Sequence, residues 1–193
     1  MKSKNILLDI DLRSQSEIDK NIDRLKGVKG MAYASISLLS IFEDQIKDLS
    51  KADFSKIPKS LGEFYIMVLH YCQEGFREVF KLIGSREEAA ILFHCSVGKD
   101  RTGLIAALLL NLVGVSDKVI VEDYAYSGEN IGPVIKKYEN MNEEYLKPFL
   151  VAGPEAMETF LSELNRTYGN SEGFLKHLGL SNKVIQNIQG TFV

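Results

Sequence analysis

The feature that most constrains the fold is a strand, loop and helix pattern in the middle of the chain. Residues 89–93 form an apolar run with the length of a buried strand, and residues 104–113 form an apolar segment of helical length. Between them lies the loop 94–103, His-Cys-Ser-Val-Gly-Lys-Asp-Arg-Thr-Gly. The loop therefore leads from a buried strand to a helix N-terminus, where backbone N–H groups and the helix dipole can hold an anion.

The residue types of this loop are those of a catalytic loop that binds phosphate. Cys95 follows the strand at the floor of the loop, and the field of the helix N-terminus favours its thiolate, which can attack phosphorus. Arg101 carries a planar fork of donors that matches two phosphate oxygens. Gly98 permits the positive φ that a nest of N–H groups needs. We expect the phosphate to be bound by Ser96, Val97, Gly98, Lys99 and Thr102.

The composition is that of one ordinary globular domain of 193 residues, with 45% hydrophobic and 25% charged residues. A net charge of −3 gives no general attraction to nucleic acid, so we predict no such partner. Two cysteines exclude a disulfide framework and fit a reducing compartment. The longest apolar run, residues 104–115, is shorter than the roughly 20 residues of a membrane span, which predicts no stable membrane insertion. We expect a cytoplasmic protein, although removal of a leader would leave the same sequence.

Hydrophobic periodicity predicts an α/β fold, with a mostly parallel central sheet flanked by helices and a helix-rich C-terminal half. In such sheets the site lies at the carboxyl ends of the strands. The predicted strands are residues 5–12, 31–38 and 89–93. The predicted helices are residues 14–25, 41–49, 60–83, 104–113 and 116–126, one opening at 132, one over 154–168, and two short helices after it. The positions predicted to be buried are Ile18, Ile22 and Leu25 in the helix 14–25, and Phe64, Val68, Tyr71, Phe76, Val79, Phe80 and Ile83 in the helix 60–83.

The string His94-Cys-x-x-Gly-Lys-Asp-Arg-Thr-Gly103 resembles the signature of cysteine-dependent phosphatases, specifically the bacterial atypical tyrosine phosphatases of the PtpB-like group. The resemblance runs from about residue 5 to the C-terminus and implies one cysteine-phosphatase-like domain over residues 1–193, with no cofactor and no metal. The family's N-terminal Arg-Asp-Leu-Gly segment has no counterpart here, so the chain is either truncated or short of an edge element of the sheet. Other stretches of the chain also resemble this family. They are Asp11-Leu-Arg-Ser14, Asp123-Tyr124 with Ser127, Tyr168-Gly169 with Gly173-Phe-Leu175, and Leu178-Gly-Leu-Ser181.

The leaving group needs a proton, and two aspartates are candidates for its donor. The chain has no Trp, which excludes the mobile Trp-Pro-Asp loop of classical tyrosine phosphatases. Asp11 ends a predicted strand and matches the family's Asp-Leu-Arg-Ser aspartate; its alternative role is an ion pair with Arg13 or a helix cap. Asp100 lies in the loop, where it can donate a proton, activate water or stiffen the loop. We favour Asp11 as the acid.

Two neighbours of Cys95 are predicted to support it. His94 precedes the nucleophile on the strand, so we expect its ring to point away from the phosphate and to hydrogen-bond the loop backbone. The hydroxyl of Thr102 can donate to the sulfur and ease its departure from the phosphoenzyme, or it can cap the helix.

The remaining candidates allow two interpretations each. Lys99 either adds a positive charge at the rim, for which the resemblance implies tolerance of phosphoinositides beside phosphoamino acids, or is a solvated lysine. Cys72 is a core thiol or a resolving partner for oxidised Cys95. His70 and His177 have no companions at metal-ligand spacing, so we predict no metal site.

Together the loop and the resemblance predict a metal-independent phosphomonoester hydrolase that acts through a cysteinyl-phosphate. The resemblance implies phosphotyrosine as the main substrate, with phosphoserine, phosphothreonine and phosphoinositides in range. The expected partner is therefore a phosphorylated protein or a phosphoinositide. Two other classes stay open: a module that binds phosphoproteins without turnover, and a sulfurtransferase of the rhodanese type. The sequence gives no oligomeric state.

Overall fold

At the centre of the molecule lies a small parallel sheet. The computed structural model describes residues 6–42, 58–85, 90–131 and 153–191, with the backbone alone for residues 129 and 130. The described strands are β1 (Ile6–Asp11), β2 (Ala32–Ser35) and β3 (Ala90–His94), in the order β2-β1-β3 and all parallel. The predicted parallel sheet is therefore confirmed, with β1 in the middle.

The carboxyl ends of the three strands meet at one edge of the sheet. Asp11 at the end of β1 is in register with Ser35 on β2 and with His94 on β3. The ladder continues past the strand, because the N–H of Leu12 donates to the carbonyl of His94 at 2.8 Å. This register brings the segment after β1 beside the loop that starts at Cys95.

Helices surround the sheet and make up most of the described C-terminal half, as predicted. No helix of the described residues is both long and apolar enough to cross a membrane. The helices are α1 (Gln15–Lys20), α2 (Leu61–Tyr71), α3 (Gln73–Ile83), α4 (Asp100–Leu112), α5 (Asp117–Asn130), α6 (Pro154–Tyr168), α7 (Ser171–His177) and α8 (Asn182–Gly190).

The helix α4 is apolar on most of its surface because it is packed on several sides. Leu104, Ile105 and Leu108 are at most 1% exposed and belong to the same core as Ile10 of β1. Aromatic side chains from the other helices complete this core: Tyr65, Phe76, Phe80, Phe160 and Phe174. The N-terminal half of α4 is therefore anchored in the buried core, directly after the loop.

Two predicted helices differ from the structure. The helix predicted over residues 60–83 is interrupted at Cys72, whose φ of −93° and ψ of 27° separate α2 from α3. On α2 the buried aromatic residue is Tyr65, whereas Tyr71, predicted to be buried, is 60% exposed. Val68 is fully buried, as predicted, but the helical phase assumed across the break selected Tyr71 in place of Tyr65.

The helix predicted over residues 14–25 ends at Lys20. The backbone leaves the helical region at Asn21, whose carbonyl accepts a hydrogen bond from Nη1 of Arg13 at 2.9 Å. Ile22, predicted to lie on the buried face, is 69% exposed. Nearly all of the predicted helix 41–49, and the helix predicted to open at 132, lie outside the described residues.

Candidate active site

The loop places a cysteine at the N-terminus of a buried helix. Cys95 follows β3 and is 9% exposed, while α4 begins five residues later at Asp100. Its Sγ accepts hydrogen bonds from the N–H of Gly98 and the hydroxyl of Thr102, both at 3.3 Å. Gly98 has a φ of 79°, the left-handed conformation that glycine adopts without strain. The hydroxyl of Thr102 thus lies where it was predicted to reach the sulfur.

These contacts change the ionisation of Cys95. Burial alone would raise the pKa of its thiol, but the Thr102 hydroxyl, the Arg101 charge and the Gly98 amide together outweigh burial and lower the pKa. Cys72 has burial without such donors, and burial raises the pKa of its thiol to about 12. Of the two cysteines, only Cys95 therefore has an environment that favours the reactive thiolate.

Arg101 is held by a carboxylate that the sequence analysis did not select. Nη1 and Nη2 of Arg101 each donate to one oxygen of Glu17 at 2.7 Å, a bidentate ion pair between residues 84 positions apart. Glu17 also accepts from the Ser96 hydroxyl at 2.5 Å and from the N–H of Ser14 at 2.9 Å. One carboxylate thus connects α1 with both sides of the loop.

The ion pair leaves part of the guanidinium for an anion. Of the five N–H groups of Arg101, Glu17 takes one from Nη1 and one from Nη2, and the carbonyl of Leu12 lies 3.5 Å from Nη1. The parallel Nε–H and outer Nη2–H have no hydrogen-bond partner within the described ranges. This pair matches two oxygens of a phosphate, so Glu17 orients Arg101 without blocking that use of it.

The sequence does contain a signal for Glu17. Ser14 caps α1 and accepts from the N–H of Glu17, while the Glu17 side chain returns to the N–H of Ser14, which is a complete capping box. The Ser-x-x-Glu spacing directly follows a strand that ends at the edge bearing the loop. Because the carboxyl ends of parallel strands meet, an acidic first helical turn at that edge lies within reach of Arg101.

We predict that Glu17 makes stability dependent on acid pH. Burial favours its neutral form, but hydrogen bonds from Arg101 and Ser96 outweigh burial and lower the pKa of Glu17 from 4.5 to about 2. A depressed pKa contributes stability above the unfolded value of 4.5, and this contribution is lost as the pH falls toward 2. In urea titrations the unfolding free energy of wild type should therefore decline across this interval more steeply than that of Glu17→Gln.

The control for this measurement is Glu172→Gln, which removes an exposed i,i+4 pair with Lys176 on α7. Such surface pairs contribute little, so its pH profile should parallel that of wild type. A constant difference between wild type and Glu17→Gln from pH 4.5 to 2 would contradict the assignment of Glu17 as a paired carboxylate.

In the structure Asp11 forms an ion pair with Arg13, which is the alternative to the acid role in the sequence analysis. Its carboxylate is fully buried and accepts from Nε of Arg13 at 2.9 Å, from Nη2 of Arg13 at 2.7 Å and from the Tyr33 hydroxyl at 2.8 Å. Burial would raise the pKa of Asp11, but the hydrogen bonds from Arg13 and Tyr33 outweigh it and lower the pKa. These contacts favour a carboxylate that stays ionised.

Asp100, the other candidate acid, opens α4 within the loop. Its side chain is 34% exposed, and its Oδ1 accepts from the Tyr65 hydroxyl at 2.5 Å. That hydroxyl shares a 2.6 Å hydrogen bond with Tyr124, one of the family-like residues of the sequence analysis. Tyr65 was missed because the predicted helix 60–83 assigned another face to the core.

Lys99 is not at the rim, which corrects the sequence prediction. Its side chain is 4% exposed, and its Nζ lies 3.3 Å from Oδ1 of Asp100. The ammonium of Lys99 is turned inward toward this carboxylate. Lys99 is therefore neither a solvated lysine nor a charge at the rim of the loop. The exposed tip of the loop is formed by Ser96, Val97 and Gly98.

His94 contacts the loop backbone, as predicted. Its Nδ1 lies 3.1 Å from the carbonyl of Cys95. A carbonyl only accepts, so Nδ1 carries the proton of this hydrogen bond. The other ring nitrogen faces Asp9 and Asp23 behind the loop, with Asp11 farther away at 4.0 Å. The sequence analysis did not predict this arrangement.

Comparison with known proteins agrees with this geometry. The model of the tyrosine phosphatase family matches residues 1–193. A tyrosine-protein phosphatase of Nostoc commune is 34% identical over 196 residues, covering 95% of this chain and 65% of that protein. The triple specificity protein phosphatase PtpB of Mycobacterium tuberculosis is 28% identical over 120 residues, covering 53% of this chain and 44% of that protein. Each alignment spans less than two thirds of the relative's length. The resemblance carried by the loop is therefore confirmed, and the chain belongs to the tyrosine phosphatase family.

Proposed function

We propose that this chain hydrolyses phosphomonoesters through a cysteinyl-phosphate. The observation that carries the proposal is the position of Cys95 Sγ, which accepts from the Gly98 amide and the Thr102 hydroxyl at the N-terminus of α4. The thiolate attacks phosphorus as the bond to the leaving oxygen breaks. Loop amides and the side-on N–H pair of Arg101 stabilise the charge on the equatorial oxygens. Water then attacks the phosphoenzyme, and the Thr102 hydroxyl stabilises the sulfur as it leaves.

Asp100 is the better placed of the two aspartates to protonate the leaving group. Asp11 is enclosed by Arg13 and Tyr33, which hold its carboxylate in the ionised form. Asp100 borders the loop that binds the phosphate and is one third exposed, so a leaving group can reach it. We therefore assign the acid role to Asp100 and a positioning role to Asp11, which fixes Arg13 at the end of β1.

The substrate that we propose is an aryl phosphate, with phosphotyrosine as its protein form. The Nostoc relative bears the name of a tyrosine-protein phosphatase, and the Mycobacterium relative that of a triple specificity phosphatase. Phosphoserine and phosphothreonine are therefore secondary candidates. A phosphoinositide is less favoured than the sequence implied, because the ammonium of Lys99 is buried beside Asp100. No step of this chemistry passes through a metal, and the cytoplasmic location stays a prediction.

Release of p-nitrophenol from p-nitrophenyl phosphate in the presence of EDTA tests this function. We expect turnover that survives chelation, together with a covalent phosphoprotein when the reaction is stopped by rapid denaturation. Binding of phosphotyrosine without turnover would replace the proposal with the phosphoprotein-binding module. Turnover of thiosulfate in place of the ester would replace it with the sulfurtransferase.

The acid assignment predicts an effect that depends on the leaving group. Asp100→Asn should slow hydrolysis of phenyl phosphate by about 100-fold and that of p-nitrophenyl phosphate by less than about tenfold, because nitrophenolate leaves without protonation. Asp11→Asn is the matched comparison. It leaves Arg13 partly unpaired, so it should lower stability and reduce both rates by the same factor. A selective loss on phenyl phosphate in Asp11→Asn, and not in Asp100→Asn, would return the acid role to Asp11.

A further inference from the structure

Behind the loop, three potential metal ligands from three segments of the chain converge on one point. They are Asp9 on β1, Asp23 in the segment after α1, and His94 at the end of β3. Nε2 of His94 lies 3.4 Å from Oδ1 of Asp9 and 3.2 Å from Oδ2 of Asp23. The hydrogen bonds described above for Cys95 Sγ and for the Arg101 guanidinium involve none of these three side chains, so this cluster is a separate site.

Asp9 is the least satisfied polar group of the described chain. Its side chain is 0% exposed, yet neither carboxylate oxygen has a hydrogen-bond partner among the described residues. An ionised carboxylate in such a position is strongly destabilising unless a positive charge compensates it. The guanidinium of Arg13 is directed to the two other carboxylates: its Nε and Nη2 are bound to Asp11, and Nη2 lies 3.8 Å from Oδ2 of Asp23.

The ring of His94 is oriented as in a metal ligand. Its Nδ1–H is directed to the carbonyl of Cys95, the type of second interaction that fixes the tautomer of metal-bound histidines. In the neutral ring this leaves a bare lone pair on Nε2, which also has no hydrogen-bond partner among the described residues. A lone pair that faces two carboxylates is repelled by them unless a cation lies between.

Distances and charge both fit a divalent cation. A tetrahedral centre with bonds of about 2.1 Å places its ligand atoms about 3.4 Å apart, which matches the two separations from Nε2. The three carboxylates of Asp9, Asp11 and Asp23, less the one guanidinium of Arg13, leave a local charge of −2. The side chains of Asp23 and His94 are 14% and 22% exposed, whereas Nε2 of His94 and both oxygens of Asp9 are buried, so the point lies just beneath the surface.

We propose that Asp9, Asp23 and His94 form a binding site for a divalent metal ion of the Zn²⁺ type. The ion ties β1, the end of β3 and the segment after α1 together directly behind Cys95. Its role is to hold the base of the loop, and it contributes no step to hydrolysis. The proposal therefore stands or falls separately from the proposed function.

Zinc titration of Cys95→Ser tests the site, because this variant removes the reactive thiolate as a competing ligand. Isothermal titration should show one equivalent of Zn²⁺ bound, with a rise in melting temperature that grows with zinc concentration. Co²⁺ should give the visible absorption of a tetrahedral nitrogen and oxygen site. Mg²⁺, which prefers six oxygen ligands, should not compete.

Second-site variants in the Cys95→Ser background locate the ion. Asp23→Asn should abolish the one-equivalent binding, and Asp23→His should retain it with a shifted Co²⁺ spectrum. His177→Gln, which changes an exposed histidine on α7, is the control and should bind as before. Absence of both zinc heat and a Co²⁺ spectrum in Cys95→Ser, or binding that Asp23→Asn leaves intact, would overturn the proposal. If Nε2 of His94 carries a proton in place of a bound ion, Cys95→Ser will show neither zinc heat nor a Co²⁺ spectrum.

Discussion

Replacing Cys95 with serine should lower kcat/KM for p-nitrophenyl phosphate by at least about 10⁴-fold, as expected for loss of a catalytic nucleophile. The environment that lowers the pKa of the thiol cannot bring a serine hydroxyl, with its far higher pKa, into the ionised state at neutral pH. The oxygen can still accept from the Gly98 amide and the Thr102 hydroxyl. The variant should therefore fold and bind phosphate while losing turnover, which steady-state kinetics and a phosphotyrosine binding assay would separate.

Cys72→Ala is the matched control for this substitution. Cys72 is 4% exposed between α2 and α3, and burial without hydrogen-bond donors raises the pKa of its thiol to about 12. Its loss should cost about 1 kcal/mol of stability and leave turnover at the level of wild type. Residual activity of Cys95→Ser within tenfold of wild type would contradict the thiolate mechanism.

Arg101→Lys should reduce kcat by about 10² to 10³-fold although the charge is kept. The guanidinium can bind two partners at once. One N–H of Nη1 and one of Nη2 donate to Glu17, and the Nε–H and the outer Nη2–H are left for phosphate. A lysine ammonium is a single point charge on a flexible stem, so pairing with Glu17 would remove it from the equatorial oxygens. Loss of one such donor typically costs about 10² to 10³ in kcat.

Arg166→Lys provides the comparison at an exposed site. Arg166 pairs with Glu163 on α6, and its side chain is 72% exposed. The same exchange should leave kcat unchanged there, because this pair is on the surface and outside the loop. A kcat for Arg101→Lys within threefold of wild type would show that positive charge alone suffices.

The strand, loop and helix were predictable because each has a local signal. The apolar run before Cys95 and the apolar segment after Gly103 have the lengths of a strand and a helix, and Gly98 marks the turn between them. The same local signals placed Thr102 beside the sulfur, since both belong to one short loop. The central position of β1, however, depends on strand order, which no single segment encodes.

The parts that sequence reasoning missed depend on contacts between distant segments. Glu17 meets Arg101 across 84 residues, and Tyr65 meets Asp100 across 35. Asp9 looked like one polar residue within an apolar strand, and only the register of β1 with β3 brings it to His94. Pairings of this kind follow from the sheet and the packing of α2, which must be known first.

The capping box of α1 gives the loop an unusual dependence on a very short helix. α1 has six residues, and a helix of that length has no stability of its own in water. The carboxylate that closes its first turn is also the one that aligns Arg101. Local unfolding of this helix would expose the buried Ile18 and release the arginine from Glu17. Under the proposed mechanism, the alignment of Arg101 for phosphate therefore depends on the conformational stability of one short helix.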